Sequence, residues 1–162
     1  MKLNYEKFLD KIFANLFLVE ISTEGLLLDH IAYRATTSES YNRLFKELVK
    51  ENKLLDTAII RDREIAIFEL RQAIRYDVHV IPFFELMAPA IGDTYNEGLE
   101  HAEFVIDDID SFRQKYPKLT FGFKERAINS ELVLKFENNA NVKFHTKDIA
   151  RVIKLQEQAG KL

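Results

Sequence analysis

The sequence predicts an α+β fold in which two βαβββ modules pair into a curved, eight-stranded, half-open barrel with helices outside. Three observations lead to this prediction. Apolar residues make up 47% of the 162 residues, which is enough to build one buried core. The order strand, helix, strand, strand, strand occurs twice along the chain. Neither set could cover both faces of its own sheet, so we expect the two sets to pair.

The first module is predicted at about residues 26–90, after an amphipathic helix at about 2–18 whose apolar residues recur at three- and four-residue steps. Thr37 or Ser38 would cap the helix within the module. The predicted elements are a strand at 28–35, this helix to about Asn52, and strands at 54–60, 64–70 and 78–87. Pro82 lies inside the last strand, which indicates a sheet edge or a bulge.

The same order of elements predicts a second module at about 98–158. Asp107 or Asp108 would cap its helix, which stops at Pro117. The predicted elements are a strand at 99–106, this helix, strands at 119–127, 131–137 and 142–146, and a closing helix that Thr146 caps. Because the two modules complete one sheet, we expect residues 1–162 to form a single domain.

Composition excludes several classes of function. The 23 basic and 26 acidic residues give a net charge of −3 without a basic stripe, so nucleic acid is not an expected partner. The absence of cysteine excludes disulfides, zinc fingers, iron–sulfur clusters and thiol nucleophiles. Glu6 and Asp10 interrupt the first apolar stretch, and no apolar run reaches bilayer length. We therefore expect no signal peptide, no membrane partner and a cytoplasmic protein.

Strand alternation assigns several chemically active side chains to the concave face of the sheet. In the first strand of module one, Ile31 suits packing under the helix, which places His30 and Arg34 on the concave side. The same argument in module two places His101 and Glu103 there. Histidines thus occupy equivalent positions in the two modules, which makes coincidence a weaker explanation.

The last strand of each module adds one further side chain to this face. Packing Phe84 and Leu86 outward places Glu85 inward, and packing Phe144 outward places His145 inward. Imidazole and carboxylate groups are ligands for divalent first-row metals. Three histidines and one glutamate therefore form a candidate metal site between the modules.

Other readings of these residues stay open. His79 alternates inward, but six residues separate it from Glu85, about 20 Å along a strand, which is too far to share an ion. Glu137 is an alternative fourth ligand, although a position before a turn favours an exposed acid. Glu85 itself could instead pair with Arg34. Glu103 is either a proton-transfer group or support for an imidazole, or else a carboxylate balanced by nearby cations.

Segments 29–34 (DHIAYR), 85–86 (EL), 95–101 (YNEGLEH) and 142–145 (VKFH) resemble the YecM family of bacterial proteins. That family has the vicinal-oxygen-chelate fold shared by glyoxalase I, extradiol dioxygenases and bleomycin-resistance proteins. The resemblance implies a paired βαβββ barrel with a metal-sized site between the halves. Carried over by position, the ligands are His30, Glu85, His101 and His145. Better-known enzymes of the superfamily often have a carboxylate where this chain has His145.

Three functional hypotheses follow. The first is a divalent-metal-dependent enzyme of isomerase, lyase or oxygenase type that acts on a small oxygen-rich molecule. Zinc, nickel, manganese or iron would be the metal, Glu103 the catalytic proton shuttle, and Arg34 and Lys143 the substrate contacts. The second is a non-catalytic small-molecule-binding protein of the same fold. The third is that the histidines and Glu85 do not meet. A homodimer is compatible with the sequence, although one chain already contains both modules.

Overall fold

Each half of the chain forms four strands and a covering helix, as the repeated order predicts. The computed structural model describes residues 4–60, 62–90, 92 and 95–160. The first half comprises α1 (Tyr5–Leu18), β1 (Leu27–Arg34), α2 (Ser38–Glu51), β2 (Lys53–Ile60), β3 (Arg63–Tyr76) and β4 (His79–Met87). The second half comprises β5 (Gly98–Val105), α3 (Ile109–Lys115), β6 (Gly122–Lys124), β7 (Glu131–Leu134), β8 (Asn141–His145) and α4 (Ile149–Ala159).

One antiparallel strand pair, β1 with β5, joins the two modules into an eight-stranded sheet. The strand order is β2-β3-β4-β1-β5-β8-β7-β6. In each module the first and last strands are parallel neighbours, β1 with β4 and β5 with β8. This topology confirms the predicted paired-module fold. It also puts the four strands that carry the candidate ligands side by side at the centre of the sheet.

The outer face of the sheet packs against α1, α2 and α3. Leu9 of α1, Leu44 of α2 and Phe104 of β5 belong to one buried apolar core on this side, whose removal from water is the main favourable term in folding. Thr37 caps α2 and Asp108 caps α3 by accepting a hydrogen bond from a backbone N–H in the first turn. Among the described residues, no helix is long and apolar enough to cross a membrane.

The closing helix α4 lies on the inner face instead. Its residues Ile149 and Ile153 pack in a second, smaller apolar cluster. The partners in this cluster are Ala32, Leu55, Ile65, Ile67 and Met87. Asp148 caps α4, so the prediction of Thr146 as the cap was wrong. The reason is Lys147, whose carbonyl accepts a hydrogen bond from a site histidine, so that the helix begins only after it.

Three strand lengths differ from the sequence-based expectation. β3 continues past the predicted range 64–70 because, after an irregularity in its pairing, it goes on to pair with the start of β4. β6 keeps only three residues of the predicted range 119–127, since Leu119 and Phe121 pack against the outer core. β7 likewise ends at Leu134.

His79 lies on the outer face of the sheet, not the inner face that alternation predicts. Its ring centroid is 5.0 Å from that of Phe13 on α1. Alternation fails because Ile81 and Phe84 both belong to the outer core, so the strand changes phase around Pro82. His79 is therefore far from the candidate metal site for a second reason besides its distance along the strand.

Candidate metal centre

Three adjacent strands bring three ligand-capable side chains to one point on the inner face. Ala32 of β1 is paired with Glu85 of β4 on one side and His101 of β5 on the other, and His30 lies two residues earlier. One ligand atom each from His30, Glu85 and His101 lie within 4.8 Å of one another. Nε2 of His30 is 3.9 Å from one Glu85 oxygen, and Nε2 of His101 is 3.7 Å from the other. All three residues are buried.

The carboxylate of Glu103 lies between these two imidazoles and a third one. Its Oε1 is 3.5 Å from Nε2 of His30 and 3.0 Å from Nε2 of His101, and its Oε2 is 2.9 Å from Nε2 of His145. The rings of His30 and His145 have centroids 6.4 Å apart. Two imidazoles and Glu85 thus form the compact group, and His145 faces it across Glu103.

The ammonium of Lys143 also reaches this group. Its Nζ donates to Oε1 of Glu103 at 2.7 Å and to Nε2 of His101 at 3.0 Å. A positive charge therefore already contacts one candidate metal ligand and the carboxylate beside it.

Two β-bulges on the central strand pair turn an acidic residue toward each central histidine. In β1 the extra residue is Asp29, between Leu28 and His30, and in β5 it is Glu100, immediately before His101. In a regular strand, adjacent side chains point to opposite faces. The bulges remove that separation, so each acid contacts the histidine that follows it.

Each imidazole of the centre has a hydrogen-bond acceptor at Nδ1. The acceptors are Asp29 Oδ2 for His30 at 2.9 Å, Glu100 Oε2 for His101 at 3.3 Å, and the backbone carbonyl of Lys147 for His145. At His30 and His101 an acceptor at Nδ1 fixes the proton there and leaves the Nε2 lone pair for a metal, whereas Nδ1 of His145 also lies 3.0 Å from the amide nitrogen of Asn129. Nε2 of His30 is buried and makes no hydrogen bond with any described residue. This donor set fits a divalent first-row ion.

Carboxylates make the centre favourable for positive charge. Burial lowers the pKa of His30, but the carboxylates of Glu103 and Asp29 outweigh burial and raise this pKa to about 10. Burial raises the pKa of Glu103, but Lys143 and His30 hold it well below its usual range. The same acids that keep a proton on His30 would stabilise a metal cation.

A cavity of about 380 Å³ opens beside the centre on the inner face, within the usual size range of small-molecule sites. Its polar end contains Glu85, Glu103, Lys143 and His145. Apolar residues from β3, β4 and α4 form another part of the wall: Ile65, Ile67, Met87, Ile149, Val152 and Ile153. A ligand in this cavity would have contact with both the centre and an apolar surface.

The model of the YecM protein family matches residues 1–121. The chain belongs to the YecM family. The match includes Asp29, His30, Glu85 and the segment through Glu103, whereas β6, β7 and β8 lie beyond it. No protein with a curated description matches the chain.

Solved structures show the same fold across most of this YecM-family chain. Protein EC4020 from structural genomics has a TM-score of 0.79 at 20% identity, with 92% of this chain and 87% of that chain covered. A putative glyoxalase superfamily protein from Ralstonia eutropha JMP134 gives 0.56 at 8% identity, covering 90% and 83%. A methylmalonyl-CoA epimerase gives 0.52 at 16% identity, covering 74% and 94%. At these identities the likeness concerns the fold alone, and it confirms the vicinal-oxygen-chelate fold.

The other predicted site residues of this YecM-family chain lie in different places. Arg34 pairs with Glu100 at 2.7 Å and its guanidinium lies 4.5 Å from the ring centroid of Tyr95. Among the described residues, Lys143 lines the cavity and Arg34 does not. Glu137 is exposed in the turn after β7 and lies outside the cluster of candidate ligands.

Sequence reasoning missed the residues that orient the imidazoles. Asp29 and Glu100 carried a usable signal, because an acid directly precedes a histidine at the equivalent place in both modules. Asn129 carried none. It lies in the loop before β7, where its amide donates to the carbonyl of Lys147 at 3.0 Å, the same carbonyl that accepts from His145.

Proposed function

We propose that this YecM-family protein is a divalent-metal-dependent enzyme that acts on a small oxygen-rich molecule. In this proposal His30, Glu85, His101 and His145 hold the ion, which is zinc, nickel, manganese or iron. The observation that carries the proposal is the convergence of donor atoms from His30, Glu85 and His101 within 4.8 Å of one another. The acceptors at Nδ1 of His30 and His101 support it, because a proton held at Nδ1 leaves the lone pair on Nε2.

The chemistry follows from the bound ion and from the carboxylate of Glu103 beside it. A bound divalent ion supplies Lewis acidity to a carbonyl that coordinates it together with a neighbouring oxygen. Glu103 lines the cavity, where it accepts the proton of the carbon next to that carbonyl and returns it to the adjacent carbon. Return of the proton makes this an isomerase type of reaction. A lyase type would follow if the electron pair left by the proton instead formed a double bond and expelled a leaving group from the neighbouring carbon. An oxygenase type belongs to the proposal for the case in which only His30, Glu85 and His101, whose donor atoms converge, ligate iron, because two imidazoles and one carboxylate are the ligand set of non-haem iron(II) oxygenases.

Metal binding by untagged protein is the first test. The protein is dialysed separately against Zn²⁺, Ni²⁺, Mn²⁺ and anaerobic Fe²⁺, and bound metal is measured by mass spectrometry. We expect about one ion per chain for the wild type and loss of binding in His30→Ala and His101→Ala. His79→Gln is the matched control, because His79 packs in the outer core, and it should bind like the wild type. Wild-type protein that takes up none of the four metals would contradict the proposal.

Proton exchange then tests the role of Glu103. Metal-loaded protein is incubated in D₂O with a panel of α-hydroxy ketones and 1,2-dicarbonyls, and proton NMR follows the signal of the hydrogen next to the carbonyl. We expect the wild type to accelerate its loss for at least one compound and Glu103→Gln to abolish the acceleration while it still binds metal. Exchange by Glu103→Gln at the wild-type rate would exclude Glu103 as the proton-transfer group.

A non-catalytic binding protein of the same fold is the second candidate. The observation that favours it is the ammonium of Lys143, which satisfies Glu103 and the Nε2 atom of His101 without any ion. Metal binding without any exchange, isomerisation, cleavage or oxygen consumption across the panel would favour this candidate over the enzyme.

A further inference from the structure

We propose that the ligand of the cavity is an organic acid, and that Arg63 binds its carboxylate at the end of the cavity away from the metal centre. This inference rests on the proposed function, in which oxygen atoms at one end of the substrate bind the ion. It says what binds the other end of the same substrate. It adds Arg63, which is not one of the substrate contacts predicted from the sequence, Arg34 and Lys143.

Arg63 is the first residue of β3 and lines the cavity wall. Side chains two and four residues along the strand share its face, and these are Ile65 and Ile67 of the inner apolar cluster. The guanidinium is therefore carried on the same face of the sheet as the metal centre. An apolar strip lies between the two.

The guanidinium of Arg63 lacks a partner within the described part of the chain. Its Nε is buried without a hydrogen-bond acceptor, and no described carboxylate lies within ion-pair distance of it. Leaving a charged donor buried and unsatisfied costs free energy. A carboxylate is the natural acceptor, because the planar fork of arginine matches its two oxygens.

The other cations of the cavity already have acids beside them. Lys124 is 2.8 Å and Arg126 is 3.5 Å from the same oxygen of Glu131, and Lys143 is 2.7 Å from Glu103. Among the described residues that line the cavity, Arg63 is therefore the cation available to an anionic ligand.

The acids of the wall do not neutralise Arg63. Asp56 lines the cavity on β2, but its strand partner is Ile67. Four residues along a strand span about 14 Å, so Asp56 lies opposite the far end of the apolar strip. Its position beside Ile67 places it level with the metal centre.

The spacing between the two ends sets the shape of the ligand. Ile67 is also the strand partner of Glu85, so about 14 Å of strand separates the backbone of Arg63 from the level of the centre. An arginine side chain that extends along the apolar strip would cover part of that span. A ring or short chain would fill the remainder, with a carboxylate at one end, adjacent oxygen donors at the other, and Ile65, Met87 and Ile153 along its sides.

Two hydroxamates test this inference on zinc-loaded protein. Benzohydroxamate chelates zinc through adjacent oxygens, and 4-carboxybenzohydroxamate adds a carboxylate across the ring. By calorimetry we expect the wild type to bind the carboxylated compound at least about tenfold more tightly, the effect of one charge-assisted hydrogen-bonded pair. Arg63→Met should remove this preference and leave the affinity for benzohydroxamate unchanged. Arg126→Met is the matched control, because Arg126 already has Glu131, and it should keep the preference.

Each alternative result is decisive. Equal binding of the two compounds to the wild type overturns the role of Arg63 and leaves the metal proposal intact. Loss of the preference in Arg126→Met as well as Arg63→Met overturns it too. Failure of the proposed function is seen separately, because zinc is then not retained. In that event the ¹⁵Nε–H NMR signal of Arg63 in metal-free protein still gives an answer: 4-carboxybenzohydroxamate must shift it and benzohydroxamate must not, or the inference is wrong.

Discussion

The two central strands contain the same pair of residue types, an acid followed by a histidine, but the two pairs have different surroundings. Asp29 on β1 is 0% exposed, and its Oδ2 contacts both Nδ1 of His30 at 2.9 Å and the backbone N–H of Ile149 at 3.0 Å. The side chain of Glu100 on β5 is 23% exposed and bonds to His101 at 3.3 Å. Both modules therefore contain the contact between the acid and the histidine, but only the contact in module one, which lies beside α4, is fully buried. We infer that His30 is the more firmly oriented ligand.

The largest expected effect is a loss of metal affinity when the buried acid, Asp29, is replaced. Asp29→Asn removes the charge that holds the Nδ1 proton of His30 and weakens the bond to the first turn of α4. Loss of such a supporting group typically costs about 10- to 100-fold in metal affinity. The matched change Glu100→Gln should cost less than about tenfold, because that side chain is partly solvated. Competition titration of Zn²⁺ against a coloured chelator measures both constants.

Thermal unfolding of the metal-free variants sharpens the same comparison. Asp29→Asn should lower the melting temperature more than Glu100→Gln, because of these two acids only Asp29 accepts a hydrogen bond from the backbone of α4. If the two variants lose equal metal affinity, or if Glu100→Gln loses more, the buried copy is not the dominant support and the comparison fails.

The modules also differ in the charge that each brings to the centre. Module one provides His30 and Glu85, whereas module two provides a cation as well, because Lys143 contacts Glu103 and the Nε2 of His101. Burial lowers the pKa of Lys143, but Glu103, and then Glu85 and Glu131, raise it. An ion that binds at His101 must displace this ammonium.

Lys143→Met removes that competition and should raise Zn²⁺ affinity by about tenfold, equivalent to about 1.4 kcal/mol. The metal-free variant should also melt at a lower temperature, because Glu103 loses its nearest cation. Lys124→Met is the control, since Lys124 pairs with Glu131 and should leave zinc affinity unchanged. Unchanged or weaker zinc binding in Lys143→Met would show that the ammonium does not compete with the ion.

Alternation along regular strands was sufficient to predict which face holds His101 and Glu103, and the repeat was sufficient to predict the pairing of the modules. Alternation fails wherever a strand is irregular. Asp29 and Glu100 reach the centre only because a bulge places each beside its histidine, and His79 leaves the inner face where β4 changes phase near Pro82. A bulge depends on how two strands that are distant in sequence align, and the sequence of one strand alone does not contain that information.

The position of α4 was equally inaccessible from local pattern. The predicted fold put the helices outside the sheet, which is wrong for α4, because an amphipathic helix fits either face of a sheet. The helix is fixed on the inner side by contacts between Ile149 and Ile153 and residues of module one. The contact of Glu103 with three imidazoles is likewise a result of strand register, so its central place could not be read from spacing.

The smallest expected effect concerns Glu97 in the link between the modules, whose carboxylate is hydrogen-bonded to residues of module one. The carboxylate of Glu97 accepts hydrogen bonds from the hydroxyls of Tyr33, Thr36 and Ser40 and from the backbone N–H of Thr36. Burial alone would raise the pKa of Glu97, but these bonds together outweigh it and lower the pKa. A lowered folded-state pKa stabilises the protein above the usual glutamate pKa of about 4.3, and this contribution disappears as the pH falls through the lowered value.

Glu97→Gln should therefore destabilise the protein at pH 7. The loss should be about 1 kcal/mol or less, because the group is exposed. Urea unfolding should show that the difference in stability from the wild type shrinks below about pH 4. Glu125→Gln, at an exposed glutamate of module two, is the control and should show no such pH-dependent difference. A difference for Glu97→Gln that does not shrink as the pH falls would mean that the charge of this carboxylate is not its source.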